Sequence, residues 1–219
     1  MNNKNYVDRG GESFYQRNRA AALSPFIIHL QSLFSDTVMR RSRCCELGCG
    51  VGNNLKSLSE SYREVDGYEV VPDAVVHAKT KITEEGINNV KVYARDVVND
   101  PPELSQYDVS ILGFFPYYCD DEDMAAFHNG AVDTVKQGSY VYVYDFLARE
   151  AINKNDSHTT GLKVYKRPLS WWLQFFDGFD MIDFRLFSSS EARHGIASFD
   201  WVAAAAPDDW EFSGLFCRQ

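Results

Sequence analysis

The chain has 219 residues, 45% of them hydrophobic and 14% aromatic, which suits one domain of roughly 200 residues around a full core. Its formal net charge is −9 and its longest basic cluster is Arg40-Arg41-Ser42-Arg43, a balance that argues against nucleic acid as a partner, because a protein that binds a polyanion carries a basic face. Met1-Asn2-Asn3-Lys4-Asn5 lacks the apolar core of a signal peptide, and no run approaches the ~20 apolar residues that span a bilayer, so a cytoplasmic protein without membrane partners is expected.

The first two dozen residues are polar and include Gly10-Gly11. Ser24-Pro25 reads as a cap with proline at the first helical position, and Phe26, Ile27, Leu30, Leu33 and Phe34 follow at helical spacing. Cys44 to Leu47 is a short strand, followed by a glycine turn and a helix with Leu55, Leu58 and Tyr62 on one stripe. Adjacent cysteines on a strand point to opposite faces, so Cys44 and Cys45 cannot converge on a metal, and none is expected. The five cysteines include no CxxC pair and read as small buried side chains in a reducing cytosol.

Glu64 to Val70 is the second strand, Pro72 to Gly86 a helix and Val90 to Ala94 the third strand. Pro101-Pro102 marks a loop, Tyr107 to Leu112 the fourth strand, Asp121 to Val135 a helix and Ser139 to Phe146 the fifth strand. Such alternation predicts an α/β fold, a mostly parallel sheet covered on both faces. Residues 147 to 167 are polar and long for a plain connection. Pro168 to Phe176 reads as a short helix, with Trp171, Trp172, Phe175 and Phe176 as an apolar cluster for packing. Phe179 to Phe187 and Ala197 to Ala206 read as a terminal hairpin with one antiparallel strand. The whole of 1–219 is expected to be one domain, with a helical cap over 1–40, a cofactor-binding half over 41–146 and an acceptor side over 147–219.

Glu46-Leu47-Gly48-Cys49-Gly50-Val51-Gly52 carries the most chemistry. A chain that leaves a strand, turns sharply and presents backbone N–H groups to a ligand needs glycines at Gly48, Gly50 and Gly52, with Cys49 between them. The dinucleotide fingerprint Gly-x-Gly-x-x-Gly fits less well, because the third glycine comes one residue early and Asn53 takes its place. Glu46 would also repel a pyrophosphate. S-adenosylmethionine has no phosphate, and its sulfonium and ammonium tolerate nearby carboxylates. Glu69 ends the second strand, where a carboxylate accepts both ribose hydroxyls. Asp96, just past the third strand, is placed to accept from an adenine amino group.

These residues resemble the class I S-adenosylmethionine-dependent methyltransferases over roughly residues 40 to 145. The resemblance implies a three-layer sandwich with a seven-stranded sheet in the order 3-2-1-4-5-7-6. It implies that Glu46, Gly48, Gly50 and Gly52 flank the methionine part of the cofactor, that Glu69 holds the ribose and Asp96 the adenine edge, and that Phe114 and Phe115 line the methyl-transfer site. Phe115-Pro116-Tyr117 has no Asn or Asp ahead of its proline, unlike many amino methyltransferases of nucleic acid and protein glutamine, which leaves an aromatic wall able to contact a methylsulfonium.

A second resemblance rests on Tyr15-x-Arg17-Asn18, the glycine turn continued through Asn54-Leu55, and His158 with Lys166-Arg167. It is to small methyltransferases of bacterial surface-sugar pathways, pseudaminic acid among them, and implies a small, sugar-like or amino-acid-like acceptor. Tyr15, Arg17, Tyr117, Lys166 and Arg167 are the candidate acceptor residues, Arg167 through a bidentate pair with a carboxylate or phosphate. Tyr15, His158, Asp145 and His194 are the candidate bases; His29, on an apolar helix, reads as structural. A monomer or homodimer fits. A non-catalytic cofactor-binding protein and a nicotinamide-linked dehydrogenase remain as competing readings.

Overall fold

The structure, a computed structural model, describes residues 23–155, 162–188 and 210–219. Helix α1 (Pro25–Leu33) starts where Ser24 Oγ accepts from the Phe26 amide, with proline next in the chain. A single turn, α2 (Asp36–Met39), leads to β1 (Arg43–Leu47). Then follow α3 (Leu55–Ser61), β2 (Glu64–Glu69), α4 (Pro72–Glu84), β3 (Val90–Ala94), β4 (Val109–Gly113), α5 (Asp121–Gly130) and β5 (Tyr140–Leu147). The predicted helix from Asp121 is shorter than expected: it stops at Gly130, and Val132–Thr134 forms a separate 3-10 turn.

The predicted loop over 147–167 contains a hairpin instead, β6 (Ile152–Asn155) against β7 (Lys163–Lys166). Helix α6 (Leu169–Phe175) and strands β8 (Phe179–Ser188) and β9 (Trp210–Arg218) complete the described chain. The sheet order is β3-β2-β1-β4-β5-β9-β8, with β9 antiparallel to both of its neighbours. This is the expected 3-2-1-4-5-7-6 arrangement, with β8 and β9 as its sixth and seventh strands. The strand expected over Ala197 to Ala206 lies outside the described residues; Trp210–Arg218 is the strand inserted beside β5.

Strand alternation divides the core. Tyr142 and Tyr144 of β5 face α1, α3 and α4, packing with Phe26, Leu55 and Ala78. Val141 and Val143 face α5 and α6, packing with Phe127, Trp172 and Phe176. Cys44 and Cys45 fall in these two opposite cores. Among the described residues no helix is long and apolar enough to cross a membrane. Because β1, β2, β4 and β5 are parallel, their carboxyl ends meet along one edge, where open α/β sheets hold ligands.

Candidate active site

A cleft opens at that edge between the tips of β1, β2 and β4. Gly48, Glu69, Val70, Val97, Phe114 and Phe115 are among its walls, with Tyr68, Arg95, Val98, Gly113, Tyr118 and Cys119, and it encloses about 530 Å³ of space continuous with solvent.

The glycine turn is built against β2. The Gly48 and Cys49 amides donate to Tyr68 O at 2.9 and 3.0 Å, and the Gly52 amide donates to Cys49 O at 3.0 Å. Gly48, Gly50 and Gly52 take φ of 78°, 55° and 76°, the left-handed region that side chains disfavour. A Cβ on Gly48 would come within 3.2 Å of Phe115 Cβ, and one on Gly52 within 3.1 Å of Ala78 Cβ. Two of the glycines therefore admit neighbouring parts of the chain, a reason for them that the motif alone does not reveal.

Glu69 is 5% exposed and locks the turn in place. Its Oε2 accepts from the Gly50 amide at 2.9 Å, and its Oε1 accepts from the Val70 and Val71 amides at 2.8 Å each. Burial pushes its carboxyl up, against those three hydrogen bonds. An ionised carboxylate has about four acceptor sites, so capacity for a further donor remains.

Glu46 is 1% exposed. Its Oε1 accepts from Asn54 Nδ2 at 2.6 Å and from the Tyr144 hydroxyl at 3.1 Å. Its Oε2 is buried with no hydrogen-bond partner. Burial pushes the carboxyl up to about 7, outweighing the bonds from Asn54 and Tyr144, and the nearby Glu69 charge adds to the rise. Asn54 also accepts from the Ser24 amide at 3.1 Å, which ties the start of α1 to the site. Asn54 and Tyr144 were not singled out from the sequence. The available signal for Asn54 is an amide two residues past the last glycine; Tyr144 reads as ordinary strand alternation.

The remaining candidates divide. Phe114 and Phe115 stand in the cleft wall. Cys49 is buried, and burial raises its thiol well above its ordinary value. Asp96 caps its own turn, its Oδ1 accepting from the Val98 and Asn99 amides at 3.0 and 3.2 Å and its Oδ2 from Asn99 Nδ2 at 2.7 Å. Tyr117 packs on Phe146 with ring centroids 4.5 Å apart, and Lys166 Nζ lies 5.2 Å from the centre of the same ring.

Asp145 is 1% exposed at the tip of β5, near Arg167, Glu211 and Lys166, and burial pushes its carboxyl up to about 8. Arg167 stands differently from its expected role. Its guanidinium is 97% buried and donates to Pro116 O, Cys119 O and Asp121 Oδ1 at 2.9, 2.7 and 3.1 Å. These are partners within the chain, in the place of an acceptor anion. Tyr15, Arg17, His158 and His194 lie outside the described residues. Among the described residues no three His, Cys, Asp or Glu side chains are grouped to hold a metal ion.

Residues 45–138 match a family model described as a methyltransferase domain. The human N-terminal Xaa-Pro-Lys N-methyltransferase 1 is 25% identical over 130 residues, which is 58% of this chain and 58% of that protein. The chain thus spans less than two thirds of this curated relative. A methyltransferase of Methanosarcina mazei shares the fold with a TM-score of 0.65 at 14% identity, over 90% of this chain and 98% of its own. Coclaurine N-methyltransferase, bound to N-methylheliamine and S-adenosylhomocysteine, gives 0.65 at 11% identity over 88% and 72%. The [4+2]-cyclase SpnF gives 0.61 at 19% identity over 87% and 80%.

Proposed function

We propose that this chain, a class I S-adenosylmethionine-dependent methyltransferase, methylates a small sugar-like or amino-acid-like metabolite. The observation that carries the small-molecule reading is the placing of charge. Arg40 and Arg41 are exposed, but they precede β1, whereas the cleft lies beyond its other end. Among the described residues Arg95 is the one basic residue in the cleft wall, which on a protein of net charge −9 is short of the basic track that a nucleic acid would need.

The residues suit the cofactor. Glu46 offers a buried, unpartnered carboxylate oxygen to its ammonium. The glycine turn brings backbone close to the ligand, and Glu69 keeps acceptor capacity for a ribose hydroxyl. Asp96 would meet the adenine edge, and Phe114 and Phe115 the reacting end. The cofactor, when bound, supplies a methyl group activated by its sulfonium.

Asp145 is the described candidate for taking a proton from the acceptor, since a carboxyl that titrates near 8 exchanges protons near neutrality. Phe146, its neighbour in the chain, packs on Phe114 and Tyr117 with ring centroids 5.1 and 4.5 Å apart, which gives an aromatic wall. Lys166 stands beside that wall as a counter-charge for an anionic acceptor, with Tyr15, Arg17 and His158 completing the acceptor set. Five free thiols suit a reducing compartment, and a cytoplasmic location belongs to the same reading.

A second reading, an amine acceptor, draws support from the two N-methyltransferase relatives and from Asp145, because an amine attacks only when deprotonated. One screen tests both. The protein is incubated with S-adenosylmethionine and panels of sugar acids, amino acids, small amines, short peptides and RNA, and S-adenosylhomocysteine is quantified. Turnover with sugar or amino acids supports the first reading, and turnover with small amines alone the second. Turnover confined to peptides would place the amine on a peptide N-terminus and overturn only the first reading, and turnover confined to RNA overturns both. Calorimetric binding of S-adenosylhomocysteine without turnover on any panel would support a non-catalytic protein.

A further inference from the structure

Phe114 is the only non-glycine residue with positive φ among the described residues, at φ 54° and ψ −11°. A bulky side chain disfavours this region and stays there only when its surroundings hold it. One backbone hydrogen bond ties it to β5, from the Phe114 amide to Tyr144 O at 3.0 Å, and two close its own turn, from the Tyr117 amide to Phe114 O at 3.2 Å and from the Cys119 amide to Pro116 O at 3.1 Å. Its ring packs against Phe26, Tyr144 and Phe146 at 5.7, 5.2 and 5.1 Å. The bond from Cys119 is internal to the turn, and none of these contacts ties its far side to the rest of the fold.

Arg167 does. Nη1 donates to Pro116 O and Nη2 to Cys119 O, two carbonyls three residues apart, and Nη2 also meets Asp121 Oδ1. A planar fork sets both the spacing and the orientation of what it holds, which a lysine ammonium cannot do. Arg167 is itself fixed. Its guanidinium lies 4.4 Å from the Trp171 ring centre, and its carbonyl accepts from the Ala148 amide at 3.2 Å, next to β5. The turn it grips carries Phe115, Tyr118 and Cys119 of the cleft wall.

We propose that Arg167 is a positioning residue for the cofactor cleft, holding the Pro116–Asp121 turn so that Phe114 stays left-handed with its ring on the cleft wall. This rests on the reading of the cleft as the S-adenosylmethionine site. It reassigns Arg167 from acceptor binding to shaping the pocket from behind.

The test is a double-mutant cycle read by calorimetric titration with S-adenosylhomocysteine, using Arg167→Met, Phe114→Gly and the two combined, each first shown to melt cooperatively. A bulky residue that must hold a left-handed conformation unaided is disfavoured by about tenfold. Arg167→Met should therefore weaken binding about tenfold when Phe114 is present. Glycine adopts the left-handed region freely, so in the Phe114→Gly background the same substitution should change affinity less than about twofold. Equal losses in both backgrounds would make Arg167 a general structural residue and overturn the proposal, as would no loss with Phe114 present.

Should Phe114→Gly bind too weakly to titrate, hydrogen exchange at the Tyr117 and Cys119 amides decides. Arg167→Met should speed it with Phe114 present and leave it unchanged in the Phe114→Gly background; acceleration in both, or in neither, overturns the proposal. If Arg167→Met does not fold, Arg167→Lys, which keeps the charge but loses the fork, enters the same cycle with the same two outcomes. A wild-type protein that binds no S-adenosylhomocysteine would overturn the cofactor reading and this proposal with it.

Discussion

Glu46→Gln should strengthen the empty protein while weakening its hold on the cofactor. Burial raises the Glu46 carboxyl from its ordinary 4.5 to about 7. In the unfolded chain this group ionises above 4.5, while in the fold it keeps its proton to about 7. A raised carboxyl means that the native state binds more protons than the unfolded state between those values. Stability therefore falls as pH rises through that window and levels off above it. The gap corresponds to about 3 kcal/mol at pH 8. Glutamine keeps the shape and carries no charge. Its carbonyl can still accept from Asn54 and Tyr144, but its NH₂ takes the place of the unpartnered Oε2. Leaving that donor unmade costs about 1–3 kcal/mol, so a net gain of up to about 2 kcal/mol is expected at pH 8. For a chain of this size, that is a rise in melting temperature of up to roughly 8 °C. At pH 5.5 the advantage should vanish.

Cofactor affinity should move the other way. Losing a charge-assisted hydrogen bond to the ligand ammonium corresponds to tenfold or more at roughly 1.5–3 kcal/mol. A cation placed against Glu46 also drives its ionisation. At pH 7 wild-type binding should release up to about half a proton per S-adenosylhomocysteine, and the variant none. Scanning calorimetry from pH 5.5 to 8.5 and titration calorimetry in two buffers of different ionisation enthalpy measure both effects. A variant less stable than wild type at pH 8, or a stability difference that ignores pH, would refute the view of Glu46 as a strained carboxylate held ready for a cation.

Glu69→Ala should weaken S-adenosylhomocysteine binding tenfold or more and lower the melting temperature, because it leaves the Gly50, Val70 and Val71 amides without their acceptor; unchanged values in a folded variant would remove Glu69 from the site. Gly50→Val should abolish cofactor binding, since a β-branched residue cannot take φ 55° without strain, and calorimetry showing retained affinity would mean that the turn serves another purpose. With an acceptor in hand, wild-type kcat/KM should rise with pH to a plateau above about 8 as Asp145 ionises, and Asp145→Asn should lose that limb together with most of the rate; a profile shared by both proteins would exclude Asp145 as the base.

The parallel half of the fold was legible because its signals are local. Its strands are short segments bounded by Gly or Pro signals, and the glycine turn is contiguous in the chain. The end of the sheet was not. In β9, Glu211, Ser213 and Gly214 interrupt the apolar pattern, and polar residues inside a strand normally mark its outward face. Here Glu211 and Ser213 are buried, and Ser213 Oγ lies 3.1 Å from His29 Nδ1. That partner is 184 residues away in the chain, and no window of periodicity spans the distance. Strands β6 and β7 escaped for a related reason: half of their side chains are exposed Asn and Lys, and Val164 is their one fully covered apolar residue.

Arg167 and Glu69 show where such reading stops short within a site. Both are charged residues at loop or strand ends near the cleft, and by type alone either is a ligand contact. What separates a ligand contact from a brace is whether the chain supplies partners of its own. Those partners are backbone groups, and a sequence assigns every residue the same backbone groups. Carbonyls of Pro116 and Cys119 become acceptors for Arg167 only because a left-handed residue at 114 turns them toward it. The Gly50 amide reaches Glu69 only because the glycines turn it there. Glu46, Glu69 and Phe114 stand out in the sequence while Asn54 and Tyr144 do not, and the division of such side chains between holding ligand and holding chain depends on backbone direction. It follows that variants of Glu46, with an oxygen left unpartnered, should separate binding from stability, while variants of Glu69 should lose both together.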